Sequence, residues 1–278
     1  MIDALALNES ALRTGFFVGI FALIASWEAL APMCQRGVSR NLRWSNNLAL
    51  VALDSVIVRL VFPVTAVSFA ALVAERDWGL INLLDLPFWP ALIVSLLLLD
   101  LIIYLQHRLF HAVPLLWRLH RVHHADTEFD VTTALRFHPL EMLVSMGIKL
   151  VAIAALGASA QAVLVFEVVL NGAAMFNHAN VALPPKVERM LRLIVVTPDM
   201  HRIHHSTQTE EMNRNFGFNL AWWDRLLGSY CPRPQQDQRA MPFGLDQFRT
   251  RRDQWLDWML LQPLRGTVLS KQRHLIEK

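Results

Sequence analysis

Cysteine is scarce in this chain: Cys34 and Cys231 are its two, and neither belongs to a C-x-x-C pair. That argues against a disulfide scaffold, a cysteine-built structural zinc site and a thiolate-held iron–sulfur cluster. Charge is scarce too, at 18% of residues with a net of +3. The basic residues flank apolar segments, a pattern that suits anionic lipid headgroups and not nucleic acid. There is no G-x-G-x-x-G turn for a dinucleotide and no H-E-x-x-H pair of a zinc peptidase. Low-complexity linkers are missing, and nothing repeats except one five-residue histidine pattern.

Apolar residues are abundant, 54% of the chain. They gather into runs at Leu12 to Met33, Leu48 to Ala74, Phe88 to Gln106 and Leu140 to Phe176. About 20 apolar residues cross a bilayer, so the first three runs read as spans. The last is long enough for two crossings if the chain turns near Gly157-Ala158-Ser159, although its halves are slightly short and a hairpin entering only partway also fits. With Asp3 and Glu9 ahead of it and no basic, cleavable leader pattern, the first run is expected to be a retained span.

Arg36, Arg40 and Arg43 follow the first run, whereas the loop from Glu75 to Asp85 sets Glu75, Asp77 and Asp85 against Arg76. The positive-inside bias then puts the first loop in the cytoplasm and returns His107 to that side, and, if the fourth run is a hairpin, everything from His178 onward as well. The expected fold is all-α: a multi-pass membrane helical bundle with a cytosolic, histidine-rich helical cap holding a dimetal site. One membrane domain covers residues 1–278, with the histidine region at 98–230 and a polar C-terminal tail at 232–278. In that tail Pro232-Arg233-Pro234 opens a loop before an amphipathic stretch around Trp255 to Leu261.

Ten of the eleven histidines lie between His107 and His205, eight of them in three clusters: His107 and His111; His120, His123 and His124; His201, His204 and His205. The two larger clusters share the spelling H-x-x-H-H. On a helix, residues i, i+3 and i+4 fall on one face. Neutral imidazole is a ready ligand for Fe, Zn, Cu or Ni. Ten histidines exceed the needs of one ion, and two metals with about five ligands each fit the count.

These residues resemble the fatty acid hydroxylase superfamily of membrane di-iron proteins, which includes sterol desaturases and sterol C4-methyl oxidases. His107-Arg108-Leu109-Phe110-His111 is similar to its first box and Trp117-Arg118-Leu119-His120-Arg121-Val122-His123-His124 to its second. Thr197-Pro198-Asp199-Met200-His201-Arg202-Ile203-His204-His205 resembles the last, followed by Asn215-Phe216-Gly217 and Trp222-Trp223-Asp224-Arg225-Leu226-Leu227-Gly228. The likeness runs from about Leu98 to Tyr230. It implies two iron ions that use O2 to act on a lipid C–H bond, by hydroxylation or, alternatively, desaturation.

Where some relatives carry a further histidine pair, this chain has His178 alone, so the resemblance makes His178 and His138 additional ligand candidates. Asp126, Asp130 and Asp199 are candidates to orient imidazoles, or equally helix caps. The arginines of the boxes, Arg108, Arg121 and Arg202, are expected to face headgroups or pair with these acids. No side chain beyond the metal ligands is expected to be catalytic. Trp222 and Trp223 suit an interfacial anchor or a lipid entrance, and His274 is expected to be solvated.

With no dinucleotide turn or cluster of its own, the chain needs electrons from outside: a ferredoxin, a cytochrome or a reductase. The implied address is a bacterial inner membrane or the endoplasmic reticulum. Two other classes compete, a zinc hydrolase and a haem-binding membrane electron carrier with axial histidines on facing spans.

Overall fold

The computed structural model describes residues 2–35 and 37–266, with side chains from residue 9; Arg36 and His274 lie outside the described residues. Among these residues there is no strand. The long helices are α1 (Ile2–Leu30), α2 (Arg40–Val61), α5 (Phe88–Ala112), α7 (Pro139–Leu156) and α8 (Ala160–Asn177). Between them lie α3 (Ala66–Ala74), α4 (Leu80–Leu83) and α6 (Pro114–His124). The C-terminal third holds the short helices α9 (Pro185–Leu191), α10 (Pro198–His204), α11 (Thr209–Met212), α12 (Trp222–Leu226) and α13 (Leu256–Leu261).

Five segments are long and apolar enough to cross a membrane: Glu9–Leu30, Arg40–Ala74, Phe88–Ala112, Pro139–Leu156 and Ala160–Asn177. Their outer faces are apolar and open, as at Leu60 and Val151, 76% and 71% exposed. Lipid makes no demand for polar groups there, while each helix satisfies its own backbone.

The fourth apolar run divides where expected. Gly157 ends α7 in a left-handed conformation and Ser159 caps α8 by accepting from Ala162 N. A Cβ on Gly79 would sit 2.0 Å from Gly157 N, so two glycines let the α3–α4 connection touch this turn. The run from Leu48 to Ala74 is not one helix, contrary to a reading by hydropathy alone. Pro63 lacks an N–H and restricts the residue before it; α2 stops at Val61 and Thr65 caps the new helix α3.

Helices α3, α5, α7 and α8 enclose the main core, with Val67, Ala70, Leu99, Ile103, Ile153, Val163 and Phe166 interdigitated. Helix α1 packs along α8, and α2 along α7. Residues from 232 onward do not stand apart. Met259 packs on Leu50 and Val122, and Phe248 on Trp117, while Arg121, fully buried, donates to the carbonyls of Gln262 and Arg265. Arg121 therefore does not face headgroups.

Candidate metal centre

Local folding brings the histidines together. Helix α5 carries His107 and His111 one turn apart at its end. The chain reverses at Val113, and Pro114 opens α6, since a residue with no N–H loses nothing in a first helical turn. Thr197 and Pro198 start α10 in the same way. His178 forms the C-cap of α8, and His205 that of α10.

The result is two groups of imidazoles. His107, His111, His120, His124 and His204 form one; His123, His178, His201 and His205 form the other. Within each group one ligand nitrogen per residue lies within 4.8 Å of all the others, and each group could hold a metal ion. All nine side chains are buried. Consecutive helical residues point about 100° apart, so each H-x-x-H-H box serves both groups. Helix α6 gives two imidazoles to the first and one to the second; α10 with its cap does the reverse. The groups adjoin: the rings of His124 and His205 stack with centroids 4.5 Å apart.

Hydrogen bonds set the tautomers. His107 Nδ1 is 2.7 Å from Phe216 O, His204 Nδ1 is 2.8 Å from Arg214 O and His178 Nδ1 is 2.7 Å from Ala174 O. A carbonyl can only accept, so each Nδ1 carries the proton and each Nε2 is a bare lone pair. His120 Nδ1 faces Glu141 Oε1 at 2.7 Å; as a carboxylate Glu141 accepts, which leaves the His120 Nε2 bare as well. Yet His107 Nε2 and His120 Nε2 are 3.1 Å apart, and His178 Nε2 lies 3.0 to 3.2 Å from the Nε2 atoms of His201, His123 and His205. The bare nitrogens of His107 and His120 repel at this distance unless a cation lies between them, and the single Nε2 lone pair of His178 can accept from at most one of its three neighbours. Ligands about 2.1 Å from a shared ion and at right angles to each other would be about 3.0 Å apart. His111 Nδ1 and Nε2, His124 Nε2, His204 Nε2, His123 Nδ1 and His201 Nδ1 are buried without a hydrogen-bond partner. The donor set fits metal ions.

Burial disfavours the charged imidazole throughout. It lowers His120 to about 3 and His178 to about 4, and holds His123, His124, His201, His204 and His205 well below the usual value, with neighbouring imidazoles adding to the effect. The rings are neutral and ready to ligate at physiological pH.

His138 is in neither group. It caps α7, accepting from Leu140 N, and its Nε2 meets Leu260 O. Asp126 takes Arg43 Nε and Nη2, each at 2.7 Å, and Asp130 takes Arg43 Nη1. This buried triad ties the start of α2 to the 126–133 loop, and its negative charges favour protonation of His178. Asp199 pairs with Arg202, which also donates to Val181 O. The carboxylate that meets a clustered imidazole directly is Glu141, on the first turn of α7, which sequence reasoning missed; its one signal was an acidic residue at the mouth of an apolar run.

The loop after α11, singled out in the sequence only as a motif following the last box, proves to orient two imidazoles. Asn215, left-handed at φ 51°, separates the two carbonyls that orient His204 and His107. Its side chain donates to Met200 O and Cys231 O and accepts from Cys231 N. Asp224 accepts from Phe216 N, Gly217 N and Ser229 Oγ. A Cβ on Gly217 would meet Asp224 Oδ2 at 2.9 Å, so this approach requires glycine.

Five helical segments of membrane-spanning length, with nine buried imidazoles gathered from α5, α6, α8 and α10 into two adjoining groups that could each hold a metal ion, define a membrane protein of the histidine-box class. The sequence pattern of the Fatty acid hydroxylase family matches residues 92–229. Ornithine lipid hydroxylase OlsE of Rhizobium tropici is 30% identical over 227 residues, covering 78% of this chain and 67% of that protein. Human cholesterol 25-hydroxylase is 29% identical over 62% of each chain, and alkylglycerol monooxygenase of Danio rerio 27% over 56% of this chain and 34% of its own length. No solved structure matches. The chain belongs to the fatty acid hydroxylase family.

Proposed function

We infer that this chain is a di-iron lipid hydroxylase that uses O2 and two external electrons per turnover, with the five-histidine and four-histidine groups each holding one ion. The observation that carries this reading is the convergence of buried imidazole nitrogens at 3.0 to 3.2 Å in two adjoining groups, closer and more numerous than their hydrogen bonds can satisfy. Nitrogen-rich sites with positions to spare suit iron in oxygen chemistry, and the relatives supply the lipid: their names specify an ornithine lipid, an alkylglycerol and cholesterol. All are hydroxylases or monooxygenases by name, which favours hydroxylation over desaturation. The competing haem carrier needs two facing imidazoles with the plane between them clear for a porphyrin, whereas here each such pair is surrounded by further imidazoles of the same group. The absence of H-E-x-x-H speaks against a zinc hydrolase.

Bound iron would supply the O2 activation. The protein holds the imidazoles neutral by burial, fixes their tautomers through Phe216 O, Arg214 O, Ala174 O and Glu141, and keeps bulk water away from the centre. A lipid would reach it laterally from the bilayer. Electrons would come from a ferredoxin, a cytochrome or a reductase, and the centre would face the cytoplasm, as the arginines after α1 favour. The whole chain acts as one domain in this reading.

The test is lipid mass spectrometry of cells expressing the chain or its His204→Ala variant under oxygen-18. A lipid gaining one labelled oxygen only with the intact chain is the expected result. Loss of two hydrogens without label would mean desaturation, and full turnover by the variant would overturn the metal assignment.

A further inference from the structure

Two segments outside the five spans carry large apolar side chains with no protein against them. Around α9, Met190 and Leu193 are 71% and 61% exposed, with Val187 and Ile194 also open; in and after α12, Leu226 is 72% exposed, with Trp222 and Leu227 also open. The segments are one unit. Val195 and Leu220 form an antiparallel bridge, Val196 N donates to Asn219 O and Ala221 N to Ile194 O. Trp222 Nε1 donates to Leu193 O and Arg225 Nη2 to Arg192 O.

Its depth is set by one carboxylate. Asp100, on α5, accepts from Leu220 N at 3.2 Å and from Trp223 Nε1 at 2.8 Å. Helix α5 has 25 residues from Phe88 to Ala112, about 37 Å at 1.5 Å per residue against a hydrocarbon core of about 30 Å. Asp100 is its midpoint. Even if the bilayer boundary is drawn as far in as His107, the carboxylate sits about 10 Å beneath it. Residues 194–196 and 219–223 are therefore pinned at bilayer depth and return upward, through α10 to His201 and through Ser229, which hydrogen-bonds Tyr104 OH at 2.6 Å. Exposed Leu105 and Leu109 of α5 carry the apolar surface on toward the histidines.

We propose that residues 183–196 and 219–228 form a re-entrant membrane element, its open face covered by acyl chains of the leaflet on the histidine side. Polar backbone at that depth is tolerated because the two segments bond to each other and to Asp100. Exposed Lys186 and Arg189, on α9, reach the headgroups. The element walls the metal centre off from water on this side, so a lipid meets the site beside the element and not through it. The element depends only on α5 crossing the bilayer, whatever chemistry the centre performs.

The experiment is nitroxide accessibility in phospholipid nanodiscs, using the full chain with Cys34→Ser and Cys231→Ser and one label at a time at Met190, Leu193 or Leu226. Ile93 on α5 serves as the lipid-facing reference and Arg251 as the aqueous one. Collision with oxygen exceeding collision with a water-soluble nickel chelate at all three positions, as at Ile93, is the expected outcome. Nickel-dominated collision at the level of Arg251 overturns the proposal. A photocrosslinking residue at Leu226 in the otherwise unaltered chain gives a second reading: lipid adducts are expected, and their absence while Ile93 crosslinks to lipid counts against the element. Lipid turnover measured on the same samples reports separately on the hydroxylase reading.

Discussion

His120 Nδ1 donates to Glu141 Oε1 at 2.7 Å across the junction of α6 and α7, both side chains buried. The carboxylate fixes the tautomer that turns Nε2 toward the five-histidine group and raises the basicity of that nitrogen. Outer partners of this kind are worth roughly 10- to 100-fold in metal affinity or activity.

Glu141→Gln keeps an oxygen for His120 but removes the charge. It should cut metal affinity and turnover by about 10-fold, with Glu141→Ala worse than Glu141→Gln. Metal titration beside initial-rate measurement decides the matter; unchanged affinity in both variants would mean that the contact only packs α7 against α6.

How much of this was legible in the sequence depends on how local each signal is. The H-x-x-H-H boxes declare themselves because ligation by one helix face demands i, i+3, i+4 spacing, and the α7–α8 hairpin because Gly157 and Ser159 are turn and cap residues. Glu141, Asn215 and Asp224 act on histidines far from them in sequence, through contacts that only the tertiary fold makes. Phe216 and Arg214 act through their backbone carbonyls, which have no sequence signature. As lone histidines, His178 at the place of a further pair in relatives and His138 as its substitute were both ligand candidates. The fold separates them, since α8 ends at His178 facing α10 whereas His138 is spent capping α7. Hydropathy hid the break at Pro63 by averaging across it, and the polar composition after Pro232 concealed Phe248 and Met259, which anchor that segment on the body.

Asn215 sits between the carbonyls that orient His204 and His107, both in the five-histidine group. Glycine there tolerates the left-handed backbone but loses the bonds to Met200 and Cys231. Asn215→Gly should therefore insert and fold while its metal content falls toward one ion per chain, the four-histidine group being spared. Metal analysis of purified protein, with circular dichroism as the fold control, reads this directly; two ions bound as tightly as in the parent would remove the loop from the site.

His178 and His138 give opposite expectations. His178→Ala deletes the imidazole whose Nε2 meets three others, and should abolish occupancy of the four-histidine group together with turnover. His138→Ala deletes a helix cap, costing about 1 kcal/mol of stability with metal content intact. Equal metal loss in the two variants would restore His138 to the ligand set.

The buried imidazoles also fix the pH response of the metal-free protein. In the unfolded chain each takes up a proton near pH 6.5, whereas in the fold burial holds His178 to about 4 and His120 to about 3. Between these values the unfolded state binds more protons than the native one, so stability falls as pH falls. The contribution is complete above about pH 6.5 and is lost progressively toward pH 4. Metal acts in the same direction, because each ligand must keep its lone pair free of protons. Thermal unfolding of metal-free protein in nanodiscs should show a Tm that is level from pH 7.5 to about 6.5 and then declines steadily, with metal release from the loaded protein in the same range. A Tm that stays level down to pH 5 would mean that these imidazoles are not buried and neutral in the fold.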